Sequence, residues 1–108
     1  SVIGNNVKIG GKSLIGPNCA IADNVEIGNG CRIENSVIFP GTVIGDFTSV
    51  KGAIIGENVM LERWVKIEEE SIIGDHTSIA DGVTITCGVR ICPSKRVEGS
   101  ILEPGPVM

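Results

Sequence analysis

The chain offers few side chains that could carry out chemistry, and its single histidine, His76, is the first of them. Histidine is the side chain that most often serves as a general base. A second candidate is the acidic run Glu68-Glu69-Glu70, whose carboxylates could bind a metal ion. A short acidic run is more typical of a solvated turn, so we expect no metal site there. His76 therefore remains the one candidate base.

Four cysteines are the remaining reactive side chains. No pair has the spacing of a CxxC motif, and none stands at a zinc-site spacing from the histidine. We predict free thiols, mostly buried, in the reducing environment of the cytoplasm. They are Cys19, Cys31, Cys87 and Cys92. The sequence thus indicates no metal site and no bound cofactor in this chain.

The charge of the chain is acidic, with 13 Asp and Glu against 9 Lys and Arg and a pI near 4.9. This balance repels phosphates, and no basic cluster offers a local exception, so nucleic-acid binding is not expected. No apolar stretch approaches the roughly 18 residues of a membrane helix, and no signal sequence is recognisable. We expect a cytoplasmic protein without a membrane partner. Since Ser1 already lies inside a repeat, we also expect the chain to be a piece of a longer protein.

These side chains must be positioned by a six-residue repeat that runs through almost the whole sequence. An aliphatic residue followed by a small or polar one recurs at every sixth position, apart from two steps of five residues. Such hexapeptide repeats are typical of the single-stranded left-handed parallel β-helix, in which each repeat forms one side of a triangular coil. The aliphatic residues, called markers below, are Ile3, Ile9, Ile15, Ile21, Ile27, Ile33, Ile38, Ile44, Val50, Ile55, Leu61, Ile67, Ile73, Ile79, Ile85, Ile91 and Val97.

The two short steps set the register of the coils. They run from Ile33 to Ile38 and from Val50 to Ile55, and with three repeats per coil both fall at the same corner. The coils are then 18, 17, 17, 18 and 18 residues long. We therefore predict an all-β fold of about five to six triangular coils, with like residues stacked in three internal ladders over a length of roughly 25 to 30 Å.

The same register predicts where the β-helix ends and which thiols it buries. The residue two positions before each marker should also point inward, which buries Cys19 and Cys31. Pro93 interrupts the pattern, and Lys95 occupies a position that should be internal. We therefore expect the left-handed β-helix to span residues 1–92 and residues 93–108 to form an irregular C-terminal capping tail.

The corners of the coil lie three residues after each marker, where the backbone should enter the left-handed region that Gly and Asn tolerate best. His76 occupies this place in a column shared with Asn6, Asn24, Gly41 and Asn58. An ordinary turn residue is therefore the simplest interpretation of His76, because histidine is also enriched at positive φ.

Two aromatic residues occupy the next corner of the coil. Phe47 and Trp64 each stand three residues after a marker on the second side, in adjacent coils, so their rings should stack on the outside. They are the candidate interface residues of this chain. The alternative is that the two rings only cover each other.

Two parts of the sequence resemble a known family. They are residues 62–68 (ERWVKIE) and the C-terminal residues, with 93–95 (PSK), 98–104 (EGSILEP) and the final Met108. These motifs resemble the C-terminal domain of GDP-mannose pyrophosphorylases, or mannose-1-phosphate guanylyltransferases, and related sugar-phosphate nucleotidyltransferases. The resemblance covers the C-terminal half of the chain.

The resemblance implies a division of labour between two domains. In that family a sugar 1-phosphate reacts with a nucleoside triphosphate, and the reaction takes place with Mg²⁺ in an N-terminal catalytic domain of Rossmann type. The glycine-rich nucleotide loop of that domain is absent from this sequence. The resemblance therefore implies no catalytic residue here, and a rod whose partners are its own N-terminal catalytic domain and further copies of itself in a homo-oligomer.

Two other functions remain open from the sequence. Many hexapeptide-repeat rods are acyltransferases, in which a histidine at a groove between rods deprotonates the acceptor, and His76 would be that base. A regulatory subunit homologous to the nucleotidyltransferases, such as a subunit of a translation initiation exchange factor, is the other alternative. A γ-class carbonic anhydrase has the same rod but needs three histidines on zinc, so the single histidine excludes it.

Overall fold

The computed structural model describes residues 2–98 and 105–107 of the 108-residue chain. Within them the chain forms eighteen short strands and no helix. The strands are β1 (Val2–Ile3), β2 (Lys8–Ile9), β3 (Leu14–Ile15), β4 (Ala20–Ile21), β5 (Glu26–Ile27), β6 (Arg32–Glu34), β7 (Val37–Ile38), β8 (Val43–Ile44), β9 (Ser49–Lys51), β10 (Ile54–Ile55), β11 (Met60–Leu61), β12 (Lys66–Ile67), β13 (Ile72–Ile73), β14 (Ser78–Ile79), β15 (Thr84–Ile85), β16 (Val89–Ile91), β17 (Arg96–Val97) and β18 (Gly105–Val107).

The strands stack into three parallel sheets, one for each side of a triangular prism. Sheet A has the order β1-β4-β7-β10-β13-β16-β18, sheet B contains every third strand from β2 to β17, and sheet C every third strand from β3 to β15. The rod is a left-handed β-helix of about five coils and extends 32 Å along its longest axis, with a cross-section of 21 by 21 Å. The predicted fold class is confirmed.

The register of the coils is also the predicted one. In sheet A the markers pair from Ile3 to Ile21, then to Ile38 and Ile55, which gives successive separations of 18, 17 and 17 residues. The last two separations in that sheet are 18 residues each. Like side chains therefore lie directly above one another, and both short steps lie at the corner between sheets C and A.

The core consists of the markers and of the residues two positions before them. From Ile21 onward every marker is buried, with Ile33, Ile55 and Ile67 at 0% exposure. Several second inward positions carry hydroxyl groups, and these are satisfied by the backbone of the next coil. Thr42 Oγ1, for example, donates a hydrogen bond to the Gly56 carbonyl at 2.7 Å. A buried polar group satisfied in this way avoids the desolvation penalty of an unpaired one.

The corners adopt the left-handed backbone conformation that the repeat predicts. Each corner residue has φ between 51° and 76°, whether it is asparagine, glycine or a larger side chain. At the corner between sheets C and A the short coils turn one residue earlier, at Asn35 and Gly52. A deletion at this place shortens the turn without moving any marker out of the core.

The C-terminal part differs from the prediction. Arg96 and Val97 pair in register with Ser78 and Ile79, and Val97 is buried, so the β-helix continues past residue 92. Pro93 does not interrupt a strand. It lies in a turn directly before Ser94, whose φ is 62°, and proline suits the first of two central turn residues when the second has positive φ.

Part of the tail that was predicted to be irregular forms a strand. Residues 105–107 add the parallel strand β18 to sheet A, next to β16. Lys95, at an inward position of the last coil on sheet B, is exposed. The predicted capping role of residues 93–108 depends on a segment that lies partly outside the described residues.

Candidate functional site

The candidate site is the corner between sheets B and C, called the aromatic corner below. Its column consists of Lys12, Gly30, Phe47, Trp64 and Gly82, one from each successive coil, all with positive φ. The sequence predicted this column from the spacing to the markers. Phe47 and Trp64 adopt this strained backbone region because coil-to-coil hydrogen bonds of their amides hold the turn.

The two aromatic rings of the corner stack on each other, as predicted. The ring centroids of Phe47 and Trp64 are 4.7 Å apart and the ring planes are inclined by 20°. The Phe47 ring covers Gly30, because a Cβ at Gly30 would lie only 2.6 Å from the ring. The Phe47 ring therefore leans toward the preceding coil, where Gly30 provides the space, and the Trp64 ring stacks on Phe47.

The far side of the indole is left open. The following coil presents Gly82 at this corner, and a Cβ there would meet no atom within 4 Å. Trp64 remains 64% exposed and Phe47 50% exposed despite their mutual contact. The rings thus cover each other on one side only, and a planar apolar surface remains for a partner.

The backbone beneath the rings is fixed by coil-to-coil hydrogen bonds. The Trp64 amide donates to the Asp46 carbonyl at 3.0 Å, and the Phe47 amide donates to the Asn29 carbonyl at 2.8 Å. The Asp46 carboxylate also accepts a hydrogen bond from the Asn29 amide at 2.9 Å. The two rings, called the aromatic platform below, therefore stand on a rigid part of the rod. A rigid surface loses little conformational entropy when a partner binds.

Shallow grooves lie on the two faces that meet at the aromatic corner. The groove on sheet B has a volume of about 320 Å³ and includes Met60, Arg63 and Asp81. The groove on sheet C has a volume of about 260 Å³ and includes Lys66 and Cys87. Both are open to solvent and too shallow to enclose a substrate as an enzyme pocket does.

One carboxylate in the sheet B groove is incompletely satisfied. Glu62 Oε2 is buried and has no hydrogen-bond partner among the described residues, and Arg96 Nη2 lies 4.0 Å from it. Arg96 instead donates to Glu98 Oε1 at 2.8 Å. The sequence does not show this pairing, because Glu62 and Arg96 lie two coils apart on sheet B and come together only when three successive coils stack.

The cysteines divide into two classes. Cys19 and Cys31 are buried as predicted, and burial raises the pKa of the Cys31 thiol. Cys87 is exposed and Cys92 is half-buried, so the expectation of mostly buried thiols holds for only two of the four. The Cys87 sulfur lies 3.5 Å from Glu68 Oε2, and partial desolvation together with that carboxylate raises the pKa of this thiol.

His76 lies at a different corner from the aromatic rings, between sheets A and B. It is exposed, its φ is 59°, and its amide donates to the Glu57 carbonyl at 2.9 Å, as a turn residue's amide does elsewhere in the rod.

In the acidic run, Glu70 is also a corner residue, with φ 61°. Among the described residues, no three His, Cys, Asp or Glu side chains are grouped so that they could hold a metal ion. No described residue belongs to a helix able to span a membrane.

Comparison with known proteins identifies the family. The family model of the GMPPB C-terminal domain matches residues 1–107. A probable mannose-1-phosphate guanylyltransferase 3 of Oryza sativa subsp. japonica is 32% identical over 99% of this chain and 31% of its own length. A mannose-1-phosphate guanyltransferase of Yarrowia lipolytica is 35% identical over 67% of this chain and 20% of its own length. The chain thus spans about a third or less of the curated relatives it matches.

Solved structures with the same fold include acetyltransferases. A mutant of perosamine N-acetyltransferase from Caulobacter crescentus, in complex with CoA and GDP-perosamine, aligns over 98% of this chain and 51% of its own, with a TM-score of 0.88 at 18% identity. The acetyltransferase domain of PglB from Neisseria gonorrhoeae aligns over 93% of this chain and 53% of its own, with a TM-score of 0.64 at 14% identity. At these identities the likeness shows the fold alone.

The family resemblance found in the sequence is therefore confirmed, over a longer range than the C-terminal half that first carried it. The match spans the whole rod, including the coils that contain the aromatic corner. On the strength of that match, the chain belongs to the GMPPB C-terminal domain family, the left-handed β-helix domain of mannose-1-phosphate guanylyltransferases.

Proposed function

We propose that this chain is the non-catalytic assembly and regulatory domain of a mannose-1-phosphate guanylyltransferase, located in the cytoplasm. The match of the family model to residues 1–107 is the observation that carries the proposal. The free thiols among the described residues are compatible with a reducing compartment. The rod itself supplies a rigid support and an exposed aromatic platform.

The parent reaction that we propose is the synthesis of GDP-mannose. A phosphate oxygen of mannose 1-phosphate attacks the α-phosphorus of GTP, the bond from that phosphorus to the bridging oxygen breaks, and pyrophosphate leaves. This chemistry belongs to an N-terminal catalytic domain, where Mg²⁺ would neutralise phosphate charge. The described residues of the rod do not fit such a metal site, so no step of the reaction is assigned to them.

The first experiment compares the full-length protein with the 108-residue rod. Pyrophosphate release from GTP and mannose 1-phosphate should occur with the full-length protein and not with the rod. Activity of the rod alone would overturn the assignment of a non-catalytic domain. A full-length protein that folds but has no activity with any sugar 1-phosphate would favour the regulatory subunit instead.

We propose that the aromatic corner contacts the catalytic domain. The open face of Trp64 and the rigid backbone below it support this role, because exposed aromatic residues on a rigid surface are frequent contact sites. In the full-length protein, Phe47→Ser with Trp64→Ser should speed proteolytic cleavage between the domains and lower the melting temperature of the catalytic domain. Leu14→Ser, which removes an apolar residue 57% exposed on sheet C, is the matched control.

One result would contradict a contact between the aromatic corner and the catalytic domain. If the double variant kept its protection from cleavage between the domains, its oligomer size and its stability, the rings would only cover each other.

The acyltransferase alternative has a separate test at the corner between sheets A and B. His76→Asn keeps a residue that tolerates positive φ, so guanylyl transfer should be unchanged, whereas loss of an acetyl-CoA-dependent activity in this variant would favour the alternative.

A further inference from the structure

The open face of the Trp64 indole borders a slot at the aromatic corner. The indole lies against Phe47, with ring centroids 4.7 Å apart, so its orientation is fixed from one side. On its other side the next coil, about 4.8 Å further along the rod, presents Gly82. A Cβ at Gly82 would meet no atom within 4 Å, and the Gly82 amide donates to the Arg63 carbonyl at 3.0 Å. The slot is therefore an open space with a fixed backbone beside a flat aromatic face.

A charged pair stands directly beside this slot. Arg63 precedes Trp64 in the chain, and Asp81 precedes Gly82. Arg63 Nη2 lies 3.9 Å from Asp81 Oδ2, and both side chains are more than half exposed. Asp81 Oδ1 accepts a hydrogen bond from the Arg63 amide at 2.9 Å, which holds the carboxylate in place. Because a carboxylate oxygen has more than one lone pair, Oδ2 can still accept from a ligand.

This combination of groups matches the chemistry of a sugar ring. One face of a pyranose consists of C–H bonds, whose slightly positive hydrogens are attracted by the negative face of an aromatic ring. The edge of the same ring carries neighbouring hydroxyl groups, which both donate and accept hydrogen bonds. Asp81 can accept from one hydroxyl while Arg63 donates to the next, and hydrogen bonds to charged groups are stronger than those between neutral groups. The slot thus offers partners to the face and to the edge of one ring.

The charge beside the slot favours a neutral sugar over a nucleotide or a sugar phosphate. The groove on sheet B adjoins the corner, and its charged lining residues in the described part of the chain are Glu62, Arg63 and Asp81. The whole chain has a net charge of −4. A phosphate group at this place would therefore be repelled by an excess of negative charge. The groove volume of about 320 Å³ is at the lower end of the range for ligand sites, roughly 300–1,000 Å³, and suits a single ring.

We propose that this slot, called the sugar slot below, binds one neutral hexopyranose ring. The C–H face of the sugar lies on Trp64, and two neighbouring hydroxyl groups bind Asp81 and Arg63. The inference gives a ligand to the regulatory role under the proposed function, and it rests on that function in one respect. The catalytic domain is proposed to contact the same indole, so a bound sugar should loosen that contact.

The first test measures binding of two neutral sugars to the 108-residue chain. Trp64 is its single tryptophan and tyrosine is absent, so the fluorescence of the chain reports the slot directly. Methyl α-D-mannopyranoside or methyl α-D-glucopyranoside, which differ at one ring carbon, should change this fluorescence with a dissociation constant on the order of 1 mM. GMP should bind at least about tenfold more weakly than the better of the two sugars, because its phosphate is repelled. No saturable change with either sugar, or tighter binding of GMP, would overturn the proposal.

Substitutions that fit the corner backbone test the aromatic contact. Trp64→Asn removes the ring, and asparagine already occupies a corner with positive φ at Asn24. Gly82→Asn places a side chain in the slot at a φ of 71°, which asparagine also tolerates. Both variants should raise the dissociation constant at least about tenfold, measured by ligand-observed saturation-transfer NMR. His76→Asn is the matched control, since it makes the same kind of change at another corner with φ 59°, and it should bind as the wild type does.

Asp81→Asn tests the polar contact without disturbing the turn. Asn29 stands at the equivalent place, two residues after a sheet B marker, and its side chain accepts a hydrogen bond from the Gly11 amide at 2.8 Å. An asparagine at position 81 can therefore keep the bond to the Arg63 amide. Loss of the charge should raise the dissociation constant about three- to tenfold. Unchanged binding in this variant, binding that survives Trp64→Asn, or an equal loss in His76→Asn would each contradict the sugar slot.

The full-length protein separates this inference from the proposed function. The sugar that binds the rod should also speed proteolytic cleavage between the domains, and unchanged cleavage at saturation would contradict the shared use of Trp64. Pyrophosphate release from GTP and mannose 1-phosphate is measured on the same samples. Sugar binding without that activity would count against the proposed function only. An active full-length protein whose rod binds no sugar would count against the sugar slot only.

Discussion

The stability of the rod should depend strongly on where along a ladder a side chain is removed. Ile79 and Ile9 occupy equivalent positions on sheet B, but Ile79 is 0% exposed and lies between Leu61 and Val97. Ile9 is 40% exposed and, in the part of the chain that the structure describes, pairs with Ile27 alone. The same change, Ile→Ala, therefore tests how much of the stabilisation comes from coils on both sides rather than from the repeat itself.

The expected magnitudes follow from burial. Replacing a buried isoleucine by alanine removes three carbons, each stabilising by about 0.8 kcal/mol, or about 2.4 kcal/mol in total. At Ile79 the cavity left between the neighbouring coils raises the cost to about 3–4 kcal/mol. Ile9 is 40% exposed, so only about 60% of the 2.4 kcal/mol for burying these carbons is lost there. No closed cavity forms at this position, and the cost is about 1.5 kcal/mol. The difference of about 2 kcal/mol is large against the roughly 5–15 kcal/mol stability of a domain.

The assay is equilibrium unfolding in urea, followed by far-ultraviolet circular dichroism. Equal slopes for the wild type and both variants would show that the same surface is exposed on unfolding, so that the midpoints report free energies. Ile79→Ala should have the lower midpoint by about 1 M, for a slope of about 2 kcal/mol/M. Equal costs at the two positions, or a larger cost at Ile9, would refute the argument that neighbouring coils supply the stabilisation.

Two further predictions concern the aromatic corner and the exposed thiol. Gly30→Ala should destabilise the rod more than Gly82→Ala, because both positions have positive φ but only the new methyl at Gly30 meets the Phe47 ring. Backbone strain alone costs about 1–2 kcal/mol at either position. If the Phe47 ring moved aside freely, thermal unfolding would show equal losses of stability for the two variants, which would contradict this prediction. Glu68→Gln should lower the raised pKa of the Cys87 thiol, since it removes a negative charge next to the sulfur. Alkylation by iodoacetamide should then begin at lower pH than in the wild type, and an unchanged pH profile would contradict the assigned cause.

Much of the fold could be predicted because the repeat encodes it locally. In a β-helix the place of a residue within six determines whether it points inward, outward or into a corner. The same rule located the short coils, the buried Cys19 and Cys31, and the stack of Phe47 on Trp64. These features can be predicted from the number of residues in each coil alone.

Other features were wrong or missed for physical reasons. Pro93 looked like a strand breaker, but it stands at a turn position where its fixed φ favours the conformation that Ser94 completes. Cys87 and Cys92 fall outside the inward positions, so the number of buried thiols was overestimated.

By itself, the sequence determined the left-handed β-helix, its register and the family to which the rod belongs, because each of these is carried by local spacing or local motifs. The tertiary structure decided what the spacing does not contain. It set the direction in which the rings of Phe47 and Trp64 lean, the open space beside Gly82, and the approach of Cys87 to Glu68. These depend on the relative position of successive coils, which is settled only when every coil packs against its neighbours.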